Sequence, residues 1–215
     1  MMRQQSNTNP RKLPRQGRSR ATVEAIVTAA AQVLIEYGYE GATTARIAER
    51  AGVSIGSLYQ YFPNKESLVA VLIEEHATEI VEIMQEALDD PRHVTLIDGL
   101  KAAIRAGTVA HRVHPALHKI LHEQVPRIGR LGTAMDTERR ITNAIEAFLI
   151  RHDQELPPGT NHKVMAFVIE TVIEALVHKA VIDQYELFSE GIIEREALRL
   201  ITNYISAPAT ASAVA

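Results

Sequence analysis

The chain has 215 residues, 46% of them apolar, and a net charge of −3, so a sizeable core can be buried and no extreme charge dictates a partner. It has no cysteine, which excludes disulfides, thiolate metal sites and cysteine nucleophiles. No apolar run reaches the roughly 18 residues of a bilayer span, and the polar, basic start lacks the apolar stretch of a secretory signal. A soluble protein of the cytoplasm is expected.

Residues 1–20 carry Arg3, Arg11, Lys12, Arg15, Arg18 and Arg20 and no acid. A cationic end on an acidic body suits a polyanionic partner, although a solvated basic tail has the same composition. Pro10, Pro14 and Gly17 with little apolar content predict a disordered arm over 1–18. From Val23 to Tyr37 apolar residues recur at steps of three and four, which predicts a helix capped by Ser19 and ended by Gly38. A second helix is predicted from Thr44 to Ala51, with Thr43 as its N-cap, and Gly52 breaks it. A third starts after Ser54 and runs to about Tyr61. Pro63 stops it, and Asn64 caps a long helix over 65–89. Two short helices joined at a glycine read as a helix-turn-helix.

Helical patterns continue over 94–113, 115–124, 134–152, 162–187 and 191–205, divided by Pro115, by 126–132, by 156–159 and by 188–191. Val164 to Ile182 is apolar on more than one face, so this segment is either central to its domain or covered by a second subunit. The tail 207–215 is of low complexity and expected to fray. The fold class is all-α: a three-helix domain over 19–65 followed by a helical domain over 66–206.

The chemistry concentrates between Gly41 and Leu68. Gly52 permits the positive φ of a tight turn, and Ala48 is small where two helices cross. Ser54 supplies an N-cap, while Gly56 and Ser57 keep the opening of the third helix slim enough to approach base edges. Tyr59, Tyr61 and Lys65 offer hydroxyl and ammonium donors to the phosphate backbone. Arg46, in the first turn of the second helix, is a further candidate for DNA contact. Ile55 makes no bidentate hydrogen bond to a base but can touch a thymine methyl, which predicts a T·A pair beside it. The arm around Arg18 and Arg20 can either enter the minor groove or attract phosphate nonspecifically.

The uninterrupted run from Ala51 to Leu68, AGVSIGSLYQYFPNKESL, resembles the DNA-binding domain of the TetR family of repressors. The resemblance is strong over 19–70 and weaker in the order and lengths of the later helices. It implies an Ω-shaped homodimer whose third helix enters the major groove and whose C-terminal domain takes a small-molecule effector. By position, it implies phosphate or base contacts for Thr44 and Ser57, base contacts for Ile55 and Gly56, and backbone clamps in Tyr59, Tyr61 and Lys65. It also implies dimerisation through the two last long helices, about 162–187 and 191–205, on a palindromic double-stranded operator.

In the C-terminal domain His111, His114, His118 and His122 follow steps of three, four and four. On one continuous helix that is a metal-ligand pattern, but Pro115 interrupts it and no acid or thiolate sits at a matching step. Lining of a ligand pocket and plain surface exposure are the other readings, and no metal or cofactor is expected. The ligand-site candidates are His111, His114, His118, Phe148 and Phe167, with Met135 and Met165 as further apolar positions; most such residues serve a core. Pro115, with Gly107 nearby, marks a possible hinge. An enzyme is not expected, since there is no Gly-rich phosphate loop, nucleophile elbow or helical His-Glu-x-x-His. The expected function is a repressor released by an effector; the alternative is a DNA-binding regulator or activator that senses no small molecule.

Overall fold

The computed structural model describes residues 17–113, 115–123, 125, 131–183, 186–187 and 191–207. The basic arm up to residue 16, His114 and the tail beyond 207 lie outside the described residues, as do the side chains of Arg18 and His122. Among the described residues the regular structure is helical, in the order α1 Gly17–Gly41, α2 Thr44–Arg50, α3 Ile55–Tyr61, α4 Lys65–Asp89, α5 Leu96–Val113, α6 Pro115–Glu123, α7 Leu131–Arg151, a 3-10 turn Asp153–Glu155, α8 His162–Asp183 and α9 Ile192–Ser206. None of these helices is long and apolar enough to cross a membrane.

The chain forms two compact units. The first takes in the described residues up to Ala77 together with α6, and the second comprises residues 78–113 and those from Met135 onward. In the first unit Ile26, Ala30, Val33 and Leu34 of α1 meet Ile47, Leu58, Phe62 and Leu68, all buried. Leu117, Ile120 and Leu121 of α6 and Val125 beyond it complete this core, with α6 packed on α1.

Two details of α1 differ from expectation. The helix already includes Gly17, so Ser19 lies inside its first turns and does not cap it. Tyr37, placed on the apolar stripe by its spacing, is exposed, and Tyr39 is buried instead. Gly38 leaves the helical region between them (φ 67, ψ 176), so the helical period that precedes it does not place Tyr39.

In the second unit Val81, Met84 and Leu88 of α4 pack with Leu100, Ala103 and Ile104 of α5, Ile145 and Leu149 of α7, Ile169, Ile173 and Val177 of α8, and Ile201 of α9. Helix ends are satisfied by distant side chains. The Glu155 carboxylate accepts the Leu96 N–H with both oxygens, at 2.9 and 3.1 Å, so a residue 59 positions away caps α5. That bond, and then the His152 ring, hold the Glu155 carboxyl below its usual range. At the other end of α4, Arg151 donates to the Leu88 carbonyl at 2.9 Å and to Asp89 at 3.0 Å, a cation where the helix dipole is negative.

Candidate nucleic-acid interface

Helices α2 and α3 are shaped by local hydrogen bonds that their residue types supply. Thr43 Oγ1 accepts the Arg46 N–H at 3.3 Å and opens α2. The chain leaves α2 through Gly52 at φ +68, with the Val53 N–H returning to the Ala48 carbonyl at 3.0 Å. Ser54 Oγ accepts the Ser57 N–H at 3.0 Å and lies 2.8 Å from Ser57 Oγ, so two hydroxyls close the first turn of α3. Ser67 N–H donates to Asn64 Oδ1 at 2.8 Å, which opens α4. Each cap falls on the residue expected for it.

The faces of α3 then separate cleanly. Leu58 is buried, while Ile55, Gly56, Tyr59 and Gln60 are exposed, and Tyr61 is half-buried. Ile55 keeps 44% of its surface in solvent, an apolar side chain held outside the core at the slim end of a capped helix. Tyr59 Oη and Thr44 Oγ1 lie 3.0 Å apart, so α2 and α3 present a shared hydroxyl pair. Nothing crowds the space a Cβ at Gly56 would fill except Ser54 Oγ at 3.8 Å; the value of glycine there is slimness rather than relief of a clash.

Two expected DNA contacts have partners inside the protein. Arg46 Nη1 donates to the Gly41 carbonyl at 2.6 Å with its guanidinium 4.6 Å from the Tyr37 ring centre. Lys65 Nζ donates to the Tyr39 carbonyl at 2.7 Å and lies 4.0 Å above that ring. These cations bind the C-terminal end of α1 where carbonyls need donors. An ammonium has three donors, so Lys65 can hold Tyr39 and still offer a hydrogen to phosphate. Sequence reading overlooked Gln60, one turn after Gly56 on the same exposed face; its spacing of four was the available signal, and an amide can address adenine.

The residues considered for a ligand site differ in burial. Phe148 is in the core of the second unit and Phe167 is 59% exposed on α8. Met165 is buried and Met135 exposed. His111 is buried in the second unit; His118 is buried in the first, where His76 Nε2 lies 2.9 Å from its Nδ1. Glu170, not anticipated, is a carboxyl only 5% exposed in the second unit. Burial, followed by the charges of Glu174 and Glu138, pushes it up to about 7.

The sequence matches the family described as "Bacterial regulatory proteins, tetR family" over residues 17–72, and "Tetracyclin repressor-like, C-terminal domain" over residues 95–205. It is 37% identical over 65 residues to the fatty acid metabolism regulator protein of Bacillus subtilis (strain 168), covering 30% of this chain and 34% of that one. The chain spans about a third of the length of the curated relatives it matches first. Among solved structures, a TetR-family regulator from Mesorhizobium loti MAFF303099 superposes with a TM-score of 0.73 at 18% identity, over 89% of this chain and 98% of that one. The regulator FadR from Bacillus subtilis in complex with stearoyl-CoA gives a TM-score of 0.66 at 23% identity, over 83% and 96%.

Proposed function

The chain belongs to the tetR family of bacterial regulatory proteins, and from that premise we propose that it is a repressor that binds a palindromic operator as a homodimer and leaves it when a small molecule enters the C-terminal domain. Members of this family are DNA-binding transcriptional regulators, not enzymes. The observation that carries the reading is the opening of α3: a turn capped by Ser54, with Ile55 and Gly56 exposed and the Thr44–Tyr59 hydroxyl pair beside it.

In this reading α3 lies in the major groove with Ile55, Gly56 and Gln60 toward base edges. Thr44, Ser57, Tyr59, Tyr61 and the spare donors of Lys65 hold phosphates. Arg46 adds positive potential from α2, held by its bond to the Gly41 carbonyl. Selection of fragments from the source genome by purified protein, at moderate ionic strength, is expected to enrich a few duplexes containing an inverted repeat. Ile55→Ala is expected to change the preference at one base pair by about tenfold, in line with the 1–3 kcal/mol of a base contact. Tyr61→Phe should weaken every duplex alike and flatten the salt dependence. No preference for any fragment over random duplex would refute the proposal.

The dimer is placed on α8 and α9. Their inner faces fill the core, yet Val164 and Phe167 of α8 and Leu200 and Tyr204 of α9 remain exposed, at steps of three and four that give each helix a second apolar stripe. Burying such stripes against a symmetry mate supports a closed twofold pair. Phe167→Glu is expected to yield a folded monomer by light scattering and to lower operator affinity about a hundredfold, as two tethered half-site contacts become one. A variant that remains dimeric would move the interface elsewhere.

An effector-binding role for the second unit is supported by His111 and Glu170, polar groups buried where apolar ones would pack more cheaply. The similarly folded FadR binds stearoyl-CoA, in keeping with a ligand-responsive reading. The effector need only favour the state that cannot hold DNA, and about 1–3 kcal/mol of linkage weakens binding roughly 5–150-fold. If no small molecule from a broad screen releases operator-bound protein, the regulator that senses none becomes the better account.

A further inference from the structure

We propose that the second unit holds a divalent transition-metal ion between α5 and α8, ligated by His111, Glu174 and His178. The buried His111 ring has Nδ1 2.8 Å from the Gly107 carbonyl oxygen. A carbonyl only accepts, so Nδ1 carries the proton and Nε2 keeps its lone pair. This is how metal-binding imidazoles are oriented, by a carbonyl behind the ring.

His111 Nε2 lies 3.7 Å from Glu174 Oε2, and Glu174 Oε1 lies 3.7 Å from His178 Nδ1. Glu174 and His178 are one turn apart on α8, so both side chains share a face. One ring nitrogen of His111 and one of His178 are within 4.8 Å of each other, with the rings edge-on at 81°. At 3.7 Å neither nitrogen–oxygen pair is a hydrogen bond; the carboxylate brackets the space between two imidazoles. Bonds of about 2.0–2.2 Å to a tetrahedral ion set donors roughly 3.3–3.6 Å apart, so small side-chain rotations close the set.

The backbone supports the same assembly. A Cβ on Gly107 would sit 2.9 Å from Ile173 Cγ2, so glycine lets α5 and α8 approach one turn before His111 and one residue before Glu174. Glu174 is half exposed, which leaves an entry path and room for water as a further ligand. Two imidazoles and one carboxylate suit Zn²⁺, Co²⁺ or Ni²⁺ better than Mg²⁺ or Ca²⁺. This departs from the expectation of no metal, which sought the partners of His111 along its own helix; the acid and the second imidazole come from α8.

The test is titration of chelator-treated full-length protein with Co²⁺, followed by visible absorption and calorimetry, with no DNA present. The site predicts one ion per chain and the ligand-field bands of a nitrogen- and oxygen-bound Co²⁺. Glu174→Gln and His178→Gln, both on partly exposed side chains, should each weaken binding at least tenfold while circular dichroism stays unchanged. His111→Gln should do the same, but its buried position makes the other two variants decisive. Absence of Co²⁺ binding, or unchanged affinity in both Glu174→Gln and His178→Gln, would overturn the proposal and leave the DNA-binding reading untouched.

Discussion

Gly99→Ala is expected to destabilise the protein by about 2–3 kcal/mol, although alanine is the better helix former. Gly99 lies within α5, and a Cβ there would fall 2.2 Å from Phe148 Cζ and 2.3 Å from Cε2. Those distances are far inside van der Waals contact. The ring has little freedom to retreat: Phe148 is fully buried and has the His152 ring 4.6 Å from its centre. Overpacking at the upper end of its usual range therefore outweighs the propensity gain of about 1 kcal/mol. Urea unfolding of Gly99→Ala, Phe148→Leu and the double variant checks this. The double variant should be more stable than the sum of the single losses predicts, because the smaller side chain makes room for the new methyl. Strict additivity would show that the two positions do not press on each other.

Glu170→Gln is expected to stabilise the protein by about 3 kcal/mol at pH 8 and by little near pH 4. The carboxyl rises from an ordinary value of 4.5 to about 7 in the folded chain, chiefly through burial and then through Glu174 on α8 and Glu138 on α7. Below pH 4.5 the group is neutral in both states and exacts no ionisation cost. Between 4.5 and about 7 the unfolded chain ionises first, so folding stability falls as pH rises, and above 7 the loss is complete. About 2.5 pH units of difference at 1.36 kcal/mol each set the size of the effect. Glutamine keeps the shape and removes the charge. Denaturant unfolding of both proteins across pH 4–8, with chelator present, gives the comparison; a variant less stable than the parent at pH 8 would mean that the ionised carboxylate has a strong partner. A charged group kept at this cost points to use, in keeping with the proposed effector role of this unit.

The architecture of α2 and α3 was legible because its determinants are local. Thr43, Ser54 and Asn64 cap within three residues of themselves, and Gly52 bends the chain by its own conformational freedom. Exposure of Ile55 and Gly56 follows from the same short pattern. Arg46 and Lys65 were read by residue type and position alone. The bond of Arg46 to Gly41 depends on how α2 turns back against the end of α1, and that of Lys65 to Tyr39, 26 positions away, arises only when α4 docks there. Ser19 was misread because α1 already begins at Gly17, and the helical period could not place Tyr39 because Gly38 interrupts it in space.

The helical periods and the caps by themselves determined an all-α fold with a helix-turn-helix, because capping and turn chemistry act between neighbours in the chain; the 51–68 run carried the family resemblance. Tertiary structure alone decided that α6 packs on α1, that Glu155 caps α5 from 59 residues away, and that His111 has Glu174 and His178 of α8 beside it. Those outcomes depend on which helix faces meet, and that is set by the summed burial of many side chains, whose partners are separated along the chain by distances no short pattern encodes.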